Sequence, residues 1–180
     1  LTMFTYRIDD EISLALPQPH VDAAPLFALI DQDRKTLGAF LPWVANVNRI
    51  EDETENLMAD LKRFASGVSL NAVIHYGDAV AGMISFNHLD HLNHQADIGY
   101  WLGTEFQGLN VMHRAVSGMC ALGFVDYDLN RLIIRAAVDN VPSNHVAQKA
   151  GFTLEARLRE AALLADGYHD ENQYARLKND

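Results

Sequence analysis

The chain has 180 residues, of which 49% are hydrophobic and 21% are charged. This length and apolar content predict one globular domain over residues 3–180 and exclude a disordered chain. Lys and Arg number 14 against 24 Asp and Glu, a net charge of −10. Such acidity argues against direct nucleic-acid binding and suits a cationic substrate such as an amine.

The cysteine count and the lack of long apolar runs concern the protein's location. One cysteine, Cys120, excludes a disulfide within the chain, and no apolar run is long enough to span a membrane. We therefore expect a cytoplasmic protein with no membrane partner. We also expect Met3 to be the natural start, preceded by two added residues.

The N-terminal half predicts a hairpin, two amphipathic helices and a second hairpin. Alternating apolar residues between turn residues indicate strands, and apolar residues at helical spacing indicate helices. An apolar loop containing Phe40 and Trp43 separates the helices. In order, the elements are a hairpin or broken edge strand over Tyr6–Leu16, a helix from Val21, a helix over Asp52–Ala65, and strands Leu70–Tyr76 and Ala79–Phe86 around Gly77-Asp78.

The C-terminal half predicts a strand–helix–strand unit, a short helix and a closing hairpin. The two strands of the first unit should be parallel. Leu132–Val138 is nearly continuously apolar, which predicts a strand covered on both faces. The elements are a strand over Ala96–Gly103, a helix from Val111, the strand Leu132–Val138, a helix over Asn144–Lys149, and strands Phe152–Leu164 and Tyr168–Leu177.

The segment from Tyr100 to Val111 runs from a strand through a glycine-containing turn into a helix. The unpaired amides and the dipole of such a helix start can bind phosphate without lysines, which suits an acidic protein. Gly108 permits close approach of a ligand, and Asn110 is a common non-glycine residue in left-handed turns. An ordinary turn glycine explains Gly108 equally well.

A second polar segment, Val138–Asn144, follows the next strand and opens a helix. Asn140 and Ser143 are candidate ligand contacts there, and simple helix caps are the alternative interpretation.

Together the two segments resemble the GNAT superfamily of acetyl-CoA-dependent N-acetyltransferases, and within it the ribosomal-protein-serine N-acetyltransferases. The similarity is strong from about Val80 to the C-terminus. It is carried by Ile84-Ser85-Phe86-Asn87, Ile98-Gly99-Tyr100-Trp101-Leu102, Gln107-Gly108-x-x-Val111-Met112, Asp139-Asn140-x-Pro142-Ser143-Asn144 and Gly151-Phe152-x-Leu154-Glu155.

The resemblance implies an α/β fold with a strongly twisted, mostly antiparallel mixed sheet and a parallel pair at the cofactor cleft. It implies acetyl-CoA as co-substrate, no metal, an amine acceptor and a homodimer. The implied cofactor-binding residues are Tyr100, Trp101, Leu102, Gln107, Gly108, Leu109, Asn110, Val111, Met112, Asn140 and Ser143.

This chain departs from the family pattern in the loop and in the catalytic groups. Asn110 and Met112 stand where the loop usually has small residues, and we expect Asn110 to keep the required backbone shape. No tyrosine follows the downstream motif, so Ser143 would meet the coenzyme sulfur in the resembling subgroup. A carboxylate of some relatives falls at Ala162 here, and Glu160, expected on the same strand face, is the candidate substitute.

The acceptor amine is not specified by the sequence. No strong base stands out, although Glu160 or Glu155 could act through water, and this favours an N-terminal α-amine over lysine. The α-amine has a pKa near ~7.8 and lysine near ~10.4. The alternatives are a small-molecule amine such as a polyamine or aminoglycoside, and a CoA-binding module without activity.

Four other features have structural interpretations. His88, His91 and His94 lack the ligand set of a structural zinc site and read as loop histidines. We expect Cys120 to be a buried, inert thiol. The acidic residues from Glu51 to Glu55 favour a helix start, with an amine-attracting rim as the alternative. Phe40 and Trp43 are candidates for walls of the acceptor groove or for core packing.

Overall fold

The structure, a computed structural model, describes residues 4–180, so the expected start at Met3 lies outside the described residues. The strands are β1 (Thr5–Arg7), β2 (Ile12–Ala15), β3 (Leu70–Tyr76), β4 (Ala79–Asp90), β5 (Gln95–Leu102), β6 (Arg131–Ala137), β7 (Thr153–Leu164) and β8 (Gly167–Leu177). The helices are α1 (Pro19–Gln32), α2 (Arg34–Gly38), α3 (Ile50–Ala65), α4 (Val111–Ala121) and α5 (Val141–Lys149), with 3₁₀ turns at Pro42–Asn46 and Thr104–Phe106 and a π turn at Leu122–Asp126.

The strands form one mixed sheet in the spatial order β1-β2-β3-β4-β5-β6-β8-β7. Strands β1 to β5 pair antiparallel in chain order, and so do β6 with β8 and β8 with β7. The parallel pair is β5 with β6, which α4 connects. The predicted α/β fold class, element order and parallel pair are confirmed.

Hydrophobic cores lie on both faces of the sheet because neighbouring strand residues point to opposite sides. Ile84 belongs to the core that α4 covers, whereas the adjacent Met83 packs with Leu26 of α1 and Leu57 of α3. Leu26 and Leu57 are fully buried, and burial of such a side chain contributes about 2 kcal/mol. Helices therefore hold the sheet from two sides.

Two predicted features differ from the structure. Helix α5 begins at Val141, earlier than expected, because Asn140 caps it and Pro142 suits a first turn. The prediction that β6 is covered on both faces is wrong, since Ile133 is half-buried and Arg135 is exposed. Arg135 instead lines a cavity.

None of the described helices combines the length and apolar composition needed to cross a membrane.

Candidate active site

The site begins where β5 and β6 separate. The two strands pair only from Gln95 to Asp97 on β5, and beyond that point β5 has an open edge. The Gly103 N–H donates to the Ala81 carbonyl of β4 at 2.9 Å. Because N–H groups alternate in direction along a strand, the amides of Tyr100 and Leu102 point to the open edge.

A cleft of about 510 Å³ lies at this open edge. Its lining includes all the predicted cofactor contacts except Leu109, whose side chain is exposed on the turn. Phe40 also lines it, whereas Trp43 does not and packs against Trp101 with ring centroids 6.1 Å apart. The structure thus brings the two sequence segments together.

The turn before α4 has the backbone shape of an anion-binding loop. Gly108 has φ 78° and Asn110 has φ 62°, so both residues are left-handed, as expected for Asn110. The first hydrogen bond of α4 joins the Arg114 N–H to the Asn110 carbonyl, which leaves the preceding helical amides without intrahelical acceptors. A Cβ built on Gly108 would meet no atom within 4 Å, so the turn is open to a ligand.

Basic side chains that sequence reasoning missed accompany this turn. The Lys149 Nζ donates to the Asn110 Oδ1 at 2.7 Å, and His113 and His145 also line the cleft. The buried His113 Nδ1 has no hydrogen-bond partner among the described residues. The Lys149 ammonium fits the diphosphate of a coenzyme, whereas the His113 Nε2 donates to the Lys149 carbonyl oxygen at 3.2 Å. In the sequence, the one indication of this role is that Lys149 lies in the helix that follows the second polar segment.

Asp33, between α1 and α2, holds the start of the turn in place. Its carboxylate is buried and accepts from the Thr104 N–H at 2.6 Å and from the Thr104 Oγ1 at 2.5 Å. Helix α2 in turn contributes Leu37 to the cleft. Asp33 therefore fixes the N-terminal helices to the strand that bounds the cleft.

On the opposite wall, Tyr100 and Ser143 form a hydroxyl pair. The Tyr100 Oη lies 3.1 Å from the Ser143 Oγ and 3.2 Å from the Ser143 carbonyl oxygen. Burial raises the pKa of Tyr100 to about 12, so the phenol keeps its proton. Asn140 caps α5 through its side chain, which accepts from the Ser143 N–H at 3.3 Å.

Asn144, which sequence reasoning placed only in a motif, anchors the same helix. Its Nδ2 donates to the carbonyls of Ala137 and Asn140, each at 2.8 Å. Its Oδ1 accepts from the Asn172 Nδ2 at 2.7 Å and the Tyr174 Oη at 2.8 Å. This buried amide joins α5 to the end of β6 and to the middle of β8 and so positions Ser143.

A second cavity of about 310 Å³ adjoins the cleft. The two share Phe40, Leu41, Tyr100, Asn140 and Ser143. The lining of the second cavity also includes the charged side chains of Arg135 and Glu171. Ala162 lies there too, at the position where a carboxylate was expected in relatives. The hydroxyl pair therefore stands between two compartments.

The structure does not bring the predicted carboxylates to this point. Glu160 is exposed and lies outside both cavity linings, because a bulge between Leu158 and Ala162 breaks the alternation of β7. Glu160 itself has φ 50°, so the expectation of a shared strand face with Ala162 is wrong. Glu155 is ion-paired with Arg131, which lowers the pKa of Glu155 and makes it a poorer base.

The remaining sequence features have structural roles. The His91 Nε2 contacts the Gly67 carbonyl oxygen at 2.7 Å, and the His94 Nδ1 contacts the Asp128 carbonyl oxygen at 3.1 Å. Burial raises the pKa of Cys120 to about 11, as expected for an inert thiol. Asp52 accepts from the backbone N–H groups of Asn48 and Arg49, which confirms the favourable helix start.

The geometry fits a class: an acyl-CoA transferase, with an amide-lined strand edge, an anion-binding helix start and an adjoining second cavity. The acetyltransferase (GNAT) domain family matches residues 12–153. The chain therefore belongs to the GNAT family and is an acetyl-CoA-dependent N-acetyltransferase.

Individual relatives share nearly the whole chain. It is 33% identical over 174 residues to the ribosomal-protein-serine acetyltransferase of Escherichia coli (strain K12), with 96% of each protein covered. The structure of the microcin C7 self-immunity acetyltransferase MccE with acetyl-CoA and AMP has a TM-score of 0.93, 34% identity and 98% coverage of both chains. RimL, the ribosomal L7/L12 α-N-protein acetyltransferase, with coenzyme A has a TM-score of 0.92 and 28% identity, covering 96% of this chain and 97% of that one.

Proposed function

We propose that this enzyme transfers the acetyl group directly from acetyl-CoA to the α-amine of a protein N-terminus, of the ribosomal kind, in a ternary complex. The observation that carries the proposal is the meeting of two cavities at Ser143. One cavity suits the coenzyme and the other an acceptor, so both substrates can be bound at once. Relatives named for ribosomal protein acetylation support the acceptor class.

Acetyl-CoA supplies an acetyl thioester when bound, and this chain's residues hold and polarise it. We assign the diphosphate to the amides after Gly108 and to Lys149. Gln107, Leu109 and Val111 form the rest of that turn with Asn110 and Met112. The outward amides of Tyr100 and Leu102, beside Trp101, bind the pantetheine arm and the thioester oxygen from a fixed strand. Asn140 contacts the arm from α5.

Ser143 donates a hydrogen bond to the departing sulfur. Its hydroxyl is held by Tyr100, whose own proton is retained at neutral pH. A thiolate needs little assistance because a free thiol has a pKa of about 8.5. The buried Cys120 does not compete as a nucleophile, which agrees with direct transfer.

The acceptor must be a neutral amine. An α-amine has a pKa about 2.6 units below that of lysine, a difference of about 3.5 kcal/mol in deprotonation. An N-terminus is therefore the easier substrate for a site with a modest base. We further propose a cytoplasmic homodimer as the working state.

The test of the acceptor is incubation with acetyl-CoA and three amine sets: peptides with free N-termini, N-terminally blocked lysine peptides, and polyamines with aminoglycosides. Mass gain on the first set alone is the expected result. Preference for the third set would favour the small-molecule alternative. Tight acetyl-CoA binding without turnover on any set would favour a binding module.

The test of Ser143 is the variant Ser143→Ala. Loss of a proton donor predicts a fall in kcat of about 100-fold with little change in KM for acetyl-CoA. Ser66→Ala is the matched control, because the Ser66 hydroxyl donates only to the Lys62 carbonyl at the end of α3. An unchanged kcat in Ser143→Ala would remove Ser143 from the mechanism.

A further inference from the structure

Glu171 is a carboxylate of the second cavity that has no partner. It lies on β8 opposite Ala137 of β6 and Leu158 of β7. Its side chain lines the cavity with Tyr100 and Ser143. The backbone of Glu171 is paired in the sheet, but among residues 4–180 no hydrogen bond or ion pair engages its carboxylate.

Several other carboxylates of β7, β8 and the segment after β6 have partners, and the exposed Glu160 lies outside the cavity. Glu155 pairs with Arg131, Asp170 pairs with Arg157, and Asp139 contacts the His169 Nδ1 at 3.1 Å. Asp170 also accepts from the Glu160 N–H at the bulge. Among the described residues that line the second cavity, Glu171 is the one carboxylate. The one cationic side chain there, Arg135, donates to the Gln173 Oε1 at 3.0 Å and not to Glu171.

We infer that Glu171 binds the acceptor ammonium and takes its first proton. This inference rests on the proposed function, since it treats the second cavity as the acceptor site. An ammonium is attracted to a carboxylate in a partly enclosed cavity more strongly than in water. Ala162 leaves room beside Glu171 for the amine, because its methyl group fills little of that wall.

The proton count of the reaction is as follows. One ammonium proton moves to Glu171, and the nitrogen lone pair then forms a bond to the acetyl carbonyl carbon. The C–S bond breaks and its electron pair goes to sulfur, which receives a proton from the Ser143 hydroxyl. The nitrogen then passes a second proton to the Ser143 oxygen, which restores the Ser143 hydroxyl. Glu171 releases its proton to water.

The test compares Glu171→Gln with the unaltered enzyme on a peptide bearing a free N-terminus. We expect kcat/KM for the peptide to fall about 100-fold at pH 7, with KM for acetyl-CoA unchanged. The deficit should grow as pH falls to 6 and shrink at pH 9, where an α-amine of pKa ~7.8 is already neutral. A merely structural role would not make the deficit depend on pH.

Control variants separate the outcomes. Glu51→Gln removes an exposed carboxylate of α3 and should leave the rate unchanged. Glu171→Asp keeps the carboxylate and should recover part of the activity. This variant therefore tests the inference even if Glu171→Gln folds poorly. A deficit that is the same at every pH, or a loss in Glu160→Gln and none in Glu171→Gln, would overturn the inference. If the unaltered enzyme acetylates no peptide N-terminus, the proposed function fails instead.

Discussion

Asn144→Ala tests whether a buried side chain holds α5 in place. The amide of Asn144 is 8% exposed and makes hydrogen bonds to Ala137, Asn140, Asn172 and Tyr174. Alanine removes all of these bonds and leaves the partner groups unpaired. Because α5 carries Ser143, we expect the change to lower both stability and activity.

The magnitude follows from the four partners. Each net hydrogen bond contributes about 1 kcal/mol, so the free energy of unfolding should fall by about 4 kcal/mol. For a chain of this length, 1 kcal/mol shifts the melting temperature by about 3 °C, which predicts a fall of about 12 °C. Asn144→Asp should be similarly harmful, because an ionised carboxylate cannot donate to the Ala137 and Asn140 carbonyls.

The assay is urea unfolding at pH 7.5 followed by circular dichroism, with kcat measured on the same samples below the transition. Asn48→Ala is the control, since Asn48 is exposed and its Nδ2 donates only to the Ala45 carbonyl. A loss below about 1 kcal/mol in Asn144→Ala would refute the reasoning, because the network would then contribute little.

Two further predictions concern the loop and a buried acid. Asn110→Gly should leave the Kd for acetyl-CoA unchanged or lower it. Glycine adopts φ 62° freely, and its lack of a side chain releases Lys149 from the hydrogen bond to Asn110. If calorimetry showed markedly weaker acetyl-CoA binding, the Asn110 side chain would itself be a ligand. Burial raises the pKa of Glu53 from 4.5 to about 7, which means that the folded protein favours the protonated side chain. The stability that this protonated form contributes is complete below pH 4.5 and is lost as pH rises through about 7. At pH 8, Glu53→Gln should therefore raise the free energy of unfolding by about 3 kcal/mol relative to the unaltered protein, and at pH 4.5 by little. Equal urea midpoints for the two proteins at pH 8 would contradict this prediction.

Local chemistry indicated the backbone of the loop before α4, whereas its role toward the coenzyme was implied by the family resemblance. Gly108 and Asn110 are residue types that favour a left-handed turn, and such a turn before an apolar helix leaves free amides. Asn140 is a residue type that caps helices, and Pro142 is tolerated in a first turn. These signals lie within a few residues of one another, so no knowledge of the tertiary fold was needed.

The acceptor side depended on long-range register, which the sequence does not encode locally. Glu171 reaches the cavity because β8 inserts between β6 and β7. Glu160 misses it because extra residues bulge between Leu158 and Ala162. An alternation argument along one strand fails at a bulge, since each extra residue reverses the face of those that follow.

The placement of charge resolves how a protein of net charge −10 can bind an anionic coenzyme. None of the described side chains that line the larger cleft is a carboxylate, while Lys149 and two histidines line it. At physiological ionic strength the Debye length is about 8 Å, so distant exposed carboxylates are largely screened from the diphosphate loop. Glu171 lies instead in the second cavity, beyond the Tyr100–Ser143 pair. Under the proposed function, an anionic donor therefore meets a lining without carboxylates, whereas a cationic acceptor meets Glu171 in a lining that also contains Arg135.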